Sequence, residues 1–328
     1  MQLLDGATPL DTSIAGTVIT VGTFDGVHRG HQDVLRRLVA RARAVRLPSL
    51  LVTFEPHPLE VINPAAAPRL LTTRAEKLAV LRTVGLDYVA VVPFTPAFAA
   101  QSAEEFVDRG LLERFRMREL LIGHDHGFGR GREGDVDTLR ALGAARGFAV
   151  DVVAPVETPD GEPISSSRIR RAVAAGALAD AESALGRRYS VSGDVVAGEG
   201  RGRSLGFRTL NVQPESDRKL LPPDGVYAIE ARTARGHHGG MLNLGGRPTF
   251  GDERRTIEAH LFDADGDFYG DFVEVAFVTR LRDTMRFDGP AALMTQLAAD
   301  ERAARLALTA PGGAGNLNGS TPVPPSLP

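Results

Sequence analysis

The hydrophobic period changes once along this chain, near residue 186, and that change requires two differently built halves. From Thr17 to about Val156, short apolar runs alternate with helical stretches: TVITVG, LLVTF (Leu50 to Phe54), YVAVVPF (Tyr88 to Phe94), LLIG (Leu120 to Gly123) and FAVDVVAPV (Phe148 to Val156). Unbroken runs of this length read as strands buried on both faces. Their alternation with helices implies a parallel sheet wrapped by helices, a Rossmann-like α/β architecture. Ser102 with Glu105 three positions on has the form of a capping box opening one of those helices. After a helical stretch from Ser166 to Leu185 the texture becomes period-two, as in YSVSGDVV, GVYAIEART, TIEAHLF and FVEVAFV, broken by Gly, Pro and Asp turns. That pattern predicts an antiparallel β-barrel closed by a last helix over about Pro290 to Leu308. The expected units are residues 1–186 and 187–308, with a Gly, Pro and Ser-rich tail over 309–328 expected to be disordered.

Two units also suit the length, because 328 residues exceed the size at which one core keeps growing. Lys and Arg total 38 against 41 Asp and Glu, a net charge of -3, so no global positive field is available for a nucleic acid. A phosphate ligand must be gripped locally. Zero cysteines exclude disulfides, thiolate metal sites and thiol catalysis, and fit a reducing, cytoplasmic setting. There is no apolar run of about 18 residues and no basic-then-apolar leader, so neither a membrane span nor an export signal is expected.

The segment VGTFDGVHRGH (Val21 to His31) lies where the first long strand hands over to the first helix, the position at which open α/β sheets bind ligands. Gly22, Gly26 and Gly30 permit close approach of backbone to phosphate, with Phe24 and Asp25 between them, and the helix start offers unpaired N–H groups. His28 and His31, three apart, can both face one phosphate and stabilise charge developing in an in-line displacement. HxGH with flanking glycines resembles the HxGH nucleotidyltransferase superfamily, and no Walker sequence occurs. ISSSRIR (Ile164 to Arg170) opens another helix and offers Ser165, Ser166, Ser167 and Arg170 to phosphates. In GHDHGFGRGREGD (Gly123 to Asp135), a His124, Asp125, His126 metal site is the weaker reading. The preferred one has Asp125 lining the nucleotide and Phe128 stacking on an aromatic ring. TFEPHP places Pro56 and Pro58 in a rigid turn that shapes an apolar pocket or merely ends a strand.

In the second half, GEGRGRSLGFRTLN (Gly198 to Asn211) fails as a dinucleotide fingerprint because no helix follows its glycines. Gly198, Gly200 and Gly206 read instead as a lid over ATP phosphates. Thr209 and Asn211, two apart on a strand, point the same way and offer oxygens to Mg²⁺. TIEAHLFD alternates, with Glu258, His260 and Phe262 on one face. Glu258 is expected to face the barrel interior and to act as the base that takes a proton from an attacking alcohol.

These motifs, with PPDGVY (Pro222 to Tyr227), NLGGRPTF (Asn243 to Phe250) and LRDTMRF (Leu281 to Phe287), resemble the bacterial bifunctional riboflavin kinase/FAD synthetases over residues 17 to 307. The resemblance implies phosphorylation of riboflavin to FMN in the barrel and adenylylation of FMN to FAD in the first unit. It implies ATP and Mg²⁺ for both, and small-molecule partners with no nucleic acid or membrane; a homo-oligomer is left open. His28, His31, Asp125, Ser165, Ser166, Ser167 and Arg170 fall by motif in the adenylyltransferase site, and Thr209, Asn211 and Glu258 in the kinase site. Two departures stand out: Arg208 replaces a usual proline and Thr284 a usual glutamate. Arg208 frees φ beside Thr209 and adds a cation within reach of phosphate. An adenylyltransferase with a catalytically impaired barrel, acting as a flavin-binding or structural module, is the alternative. A nucleic-acid-binding module would need a basic, aromatic-rich stripe, which 6% aromatics does not supply. Transfer to a non-flavin acceptor is opposed only by the flavin-family motifs.

Overall fold

The computed structural model describes residues 1–6, 8–123, 127–158, 160–197, 207–246, 255–264 and 266–309. The chain forms two compact units. The first comprises Met1–Arg69 with Lys77–Ser165; the second comprises Leu70–Glu76 and the chain from Ser166 onward. The helical stretch 166–185 therefore belongs to the same unit as the barrel.

In the first unit six strands, β1 (Gln2–Leu4), β2 (Thr17–Val21), β3 (Ser49–Glu55), β4 (Tyr88–Pro93), β5 (Met117–Gly123) and β6 (Ala149–Val153), lie in the order β1-β4-β3-β2-β5-β6. Every neighbouring pair is parallel. Ile19, Leu50, Val52, Ala90, Leu120 and Ile122 pack on one face, and Val18, Leu51, Val89, Val91 and Leu121 on the other. Burial on both faces is why these strands read as continuous apolar runs. The three-residue edge strand β1 carries no such signal, since Gln2 and Leu3 are exposed.

Helix α1 (Arg29–Val45) buries Leu35, Leu38, Val39 and Ala42, the stripe expected of a helix laid on a sheet. It is followed by α2 (Pro58–Ile62), α3 (Arg74–Arg82), α4 (Pro96–Ala99) and α5 (Ala103–Glu105), which continues as a wide turn over Phe106–Arg114, and then by α6 (Val136–Arg146). The capping box at α5 is present: Ser102 Oγ accepts from Glu105 N at 3.1 Å and Glu105 Oε2 from Ser102 N at 2.9 Å.

The second unit begins with α7 (Ser166–Ala175) and α8 (Leu178–Leu185). Strands β7 (Ser190–Val196), β8 (Leu210–Pro214), β9 (Gly225–Thr233), β10 (Gly236–Gly246), β11 (Arg255–Leu261) and β12 (Phe272–Arg282) close into an antiparallel barrel in the order β10-β11-β8-β7-β12-β9. His237 and His238 lie in β10. Helix α9 (Pro290–Thr309) is tied down by buried Asp300, which accepts from Arg282 Nε and Nη2 at 2.8 and 2.7 Å. The expected tail lies outside the described residues beyond Thr309.

Segment Leu70–Glu76 joins this unit through one buried cluster. Lys219 Nζ donates to Glu76 Oε2 and to the Leu71 carbonyl, each at 2.6 Å, while Glu76 Oε1 accepts from Ser192 N at 2.8 Å. Such a buried charge pair is tolerated because its remaining hydrogen-bonding capacity is also filled. Among the described residues no helix is long and apolar enough to cross a membrane.

Candidate active sites

In the first unit β2 is flanked by β3 on one side and β5 on the other. Strand order thus reverses at β2, and its carboxyl end is the crevice position of an open α/β sheet. The loop Gly22–His28 leaves the sheet there and turns into α1. Its backbone is more strained than its glycines suggest: Phe24 and Val27 have φ of 49° and 38°, beside Gly26 at 82°. For a β-branched valine this region is costly and persists only where the surroundings impose it. Phe24, Asp25, Val27 and His28 are all buried.

His28 is the N-cap of α1, and its Nδ1 accepts the backbone N–H of His31 at 3.3 Å. In the neutral ring the proton then sits on Nε2. The two imidazoles stack with centroids 3.6 Å apart and planes at 19°, and the Phe24 ring lies 4.7 Å from His31. Gly22 and Gly30 serve this packing: a Cβ on Gly22 would stand 3.0 Å from the Phe24 ring, and one on Gly30 3.2 Å from His28 Cε1 and Nδ1. The Ile164 carbonyl lies 3.8 Å from that same Gly30 position, which brings the chain entering ISSSRIR to the helix start.

His31 keeps part of its surface accessible, yet its Nδ1 is shielded from solvent and has no hydrogen-bond partner among the described residues. Burial, then repulsion by His28, then by Lys77, holds its pKa well below the usual 6.5. It is therefore a neutral ring with a polar edge that nothing in the described protein satisfies, as expected of a group awaiting a ligand.

Other expected residues are distributed as follows. Ser165 is exposed at the end of the first unit, and Ser166, Ser167 and Arg170 open α7 in the second. Pro56 is exposed and follows Glu55 through a cis peptide bond, and Pro58 is half-buried at the start of α2. Phe128, expected to stack on an aromatic ring, is buried against the core of this unit with a T-shaped contact to Phe106 at 5.1 Å. Asp125 lies outside the described residues, as do His124, His126, Gly198, Gly200 and Gly206.

The sequence reading missed Lys77, whose buried Nζ lies 3.4 Å from both the Thr23 carbonyl and Thr53 Oγ1. Its spacing carried a signal, because Lys77 is four residues from Leu81 on the apolar stripe of α3, where a lysine needs a reason.

In the barrel, Glu258 of β11 pairs with Asn211 of β8 on one side and Asn243 of β10 on the other. Directly opposed residues in antiparallel strands share a face, so the three polar side chains form one row. Asn243 is an addition to the expected set. The expectation that Glu258 faces the barrel interior is overturned. Ile257, Ala259 and Leu261, at 2%, 0% and 7% exposure, fill the core, and alternation turns Glu258 to the half-exposed opposite face. Thr209 immediately precedes β8 and is half-buried.

Just ahead of Thr209, His260 Nδ1 donates to the Arg208 carbonyl at 2.7 Å, and the Arg208 guanidinium donates to the Gly266 carbonyl at 3.1 Å. One arm of the Arg208 guanidinium is thus engaged by backbone. Among the described residues no cluster of three His, Asp or Glu side chains suited to a metal occurs.

Comparison with known proteins follows the same division. A family model described as FAD synthetase matches residues 11–168, and one described as riboflavin kinase matches residues 185–308. The bifunctional riboflavin kinase/FMN adenylyltransferase of Escherichia coli (strain K12) is 40% identical over 291 residues, covering 88% of this chain and 92% of the relative. Its counterpart from Pseudomonas fluorescens is 40% identical over 312 residues, covering 95% and 99%. A crystal structure described as a macrolide-efflux protein from Streptococcus pneumoniae matches with a TM-score of 0.79 and 30% identity, over 93% of this chain and 98% of that one.

Proposed function

The chain belongs to the bifunctional riboflavin kinase/FMN adenylyltransferases, and from this we propose how its residues divide the two reactions. The enzyme phosphorylates riboflavin to FMN with ATP and adenylylates FMN to FAD with release of pyrophosphate. Matches to both family models leave the adenylyltransferase-only alternative unfavoured.

Adenylyl transfer belongs to residues 1–186. An FMN phosphate oxygen attacks the α-phosphorus of ATP, and the bond to the bridging oxygen of pyrophosphate breaks. The observation that carries this reading is the stacked His28–His31 pair at the start of α1, beside an N–H-rich turn at the carboxyl end of β2. Imidazole N–H groups and the helix start donate to the phosphate oxygens on which charge builds. By motif, Ser165, Ser166, Ser167, Arg170 and Asp125 are assigned to nucleotide binding, and Pro56 and Pro58 to flavin binding.

Phosphorylation belongs to residues 187–308. The terminal ribityl hydroxyl of riboflavin attacks the γ-phosphorus, Glu258 takes the hydroxyl proton, and ADP leaves. The half-exposed face of Glu258 supports this better than an interior position would, since substrate must reach the carboxylate. The Thr209 hydroxyl and the Asn211 amide oxygen are hard donors of the kind that suits Mg²⁺. When bound, Mg²⁺ neutralises phosphate charge, and the same ion is proposed for adenylyl transfer. A chain without cysteine and with a net charge of -3 supports cytoplasmic action on small molecules rather than on nucleic acid.

Incubation with riboflavin, ATP and Mg²⁺, with chromatographic separation of the flavins, tests the whole reading. FMN followed by FAD is expected. FAD formed only when FMN is supplied would reduce the barrel to a non-catalytic module.

A further inference from the structure

The glycines and histidines of the phosphate loop do not explain what holds its strained backbone in place. The Thr23 carbonyl receives two donors from beneath, Thr53 Oγ1 at 3.0 Å and Lys77 Nζ at 3.4 Å, and the two donors are themselves 3.4 Å apart. Thr53 is fully buried on β3 and Lys77 is 6% exposed in the first turn of α3. Burying an ammonium is costly, and a hydroxyl by itself would already satisfy one lone pair of that carbonyl. The second, charged donor therefore calls for a reason beyond hydrogen-bond bookkeeping.

Peptide planarity supplies one. A trans peptide points its N–H opposite its C=O, so pinning the Thr23 oxygen toward β3 and α3 turns the Phe24 N–H the other way. The three left-handed residues that follow, Phe24, Gly26 and Val27, continue that concave run of backbone into His28. Non-glycine residues in this region relax when their surroundings loosen. A charged anchor is stronger than a neutral one. Lys77 also acts on His31, as the last of the three influences that keep that ring from charging.

We propose that Lys77 is a positioning residue for adenylyl transfer, which clamps the Thr23 carbonyl and so fixes the Phe24–Val27 turn and the His28–His31 pair that it carries. The inference rests on the assignment of FMN adenylylation to the first unit. Acting through the loop, Lys77 should show its loss in kcat more than in KM.

The test uses the full chain, with FMN adenylylation and riboflavin phosphorylation measured side by side on K77M, K77R and T53V. K77M should lose about 100-fold in kcat for FAD formation, the scale of a misplaced reacting group, with KM for ATP within about threefold and FMN formation near wild type. K77R should recover most of the loss, and T53V, which leaves the ammonium on the carbonyl, should lose less than K77M. Full adenylylation by K77M, parallel loss of both activities, or no recovery in K77R would each overturn the proposal. Absence of FAD formation in the wild-type chain would instead remove the assignment on which it rests.

Discussion

His28 Nδ1 accepts the backbone N–H of His31, and the two rings stack 3.6 Å apart. One hydrogen bond thereby caps α1, sets the tautomer of His28 and holds the second imidazole alongside the first. Because a cap is worth only about 1 kcal/mol, the pair can be altered without unfolding the chain, and its chemistry can be tested by substitution.

His28→Ala should lower FAD formation by at least about 100-fold, the cost of removing one preorganised donor, and leave FMN formation intact. Chromatography of flavins formed from riboflavin and from FMN reads both activities in one preparation. Equal loss of both would contradict separate sites.

The depressed His31 pKa has a definite sign. Folded His31 resists a proton that the unfolded chain accepts near 6.5, so this residue lowers stability as pH falls through and below that value, by at most about 1.4 kcal/mol per pH unit. Denaturation of wild type and His31→Gln at pH 7.5, 6.5 and 5.5 should show the stability of wild type relative to the variant declining on acidification. A difference independent of pH would mean that His31 titrates normally.

Glu258→Gln should abolish riboflavin phosphorylation and leave FMN adenylylation unchanged, because the amide keeps the shape of the Asn211–Glu258–Asn243 row while losing the base. Retained FMN production from riboflavin in this variant would take Glu258 out of the mechanism.

Lys219→Met leaves the Glu76 carboxylate, at 7% side-chain exposure, without its ammonium. Removal of one partner from a buried pair costs about 3 to 5 kcal/mol, so thermal denaturation should shift markedly downward. A shift no larger than that of a surface lysine substitution would show the pair to be unimportant to the barrel unit.

How much of this was legible in the sequence differs by feature. Strands β2 to β5 were readable because burial on both faces writes continuous apolar runs, and β11 and β12 because one-sided burial writes alternation. Edge strand β1 was not readable, since three residues, two of them exposed, carry no period. Nor was the affiliation of Leu70–Glu76 with the barrel, because the partners of Glu76, Ser192 and Lys219, lie more than a hundred residues away and local pattern says nothing of them. The motif named His28 and His31, but the strain sits at Phe24 and Val27, where side-chain identity argues against it. Alternation put Glu258 and Ile257 on opposite faces of β11 without saying which was inside; Ile257, Ala259 and Leu261 decide that by filling the core.

The most direct measurement is a crystal structure of the full chain with a non-hydrolysable ATP analogue and FMN. The α-phosphate is expected within hydrogen-bonding distance of the His28 and His31 rings at the start of α1. An analogue bound in the first unit away from this turn, with both imidazoles still stacked and free of phosphate, would contradict the assignment of adenylyl transfer to this pair.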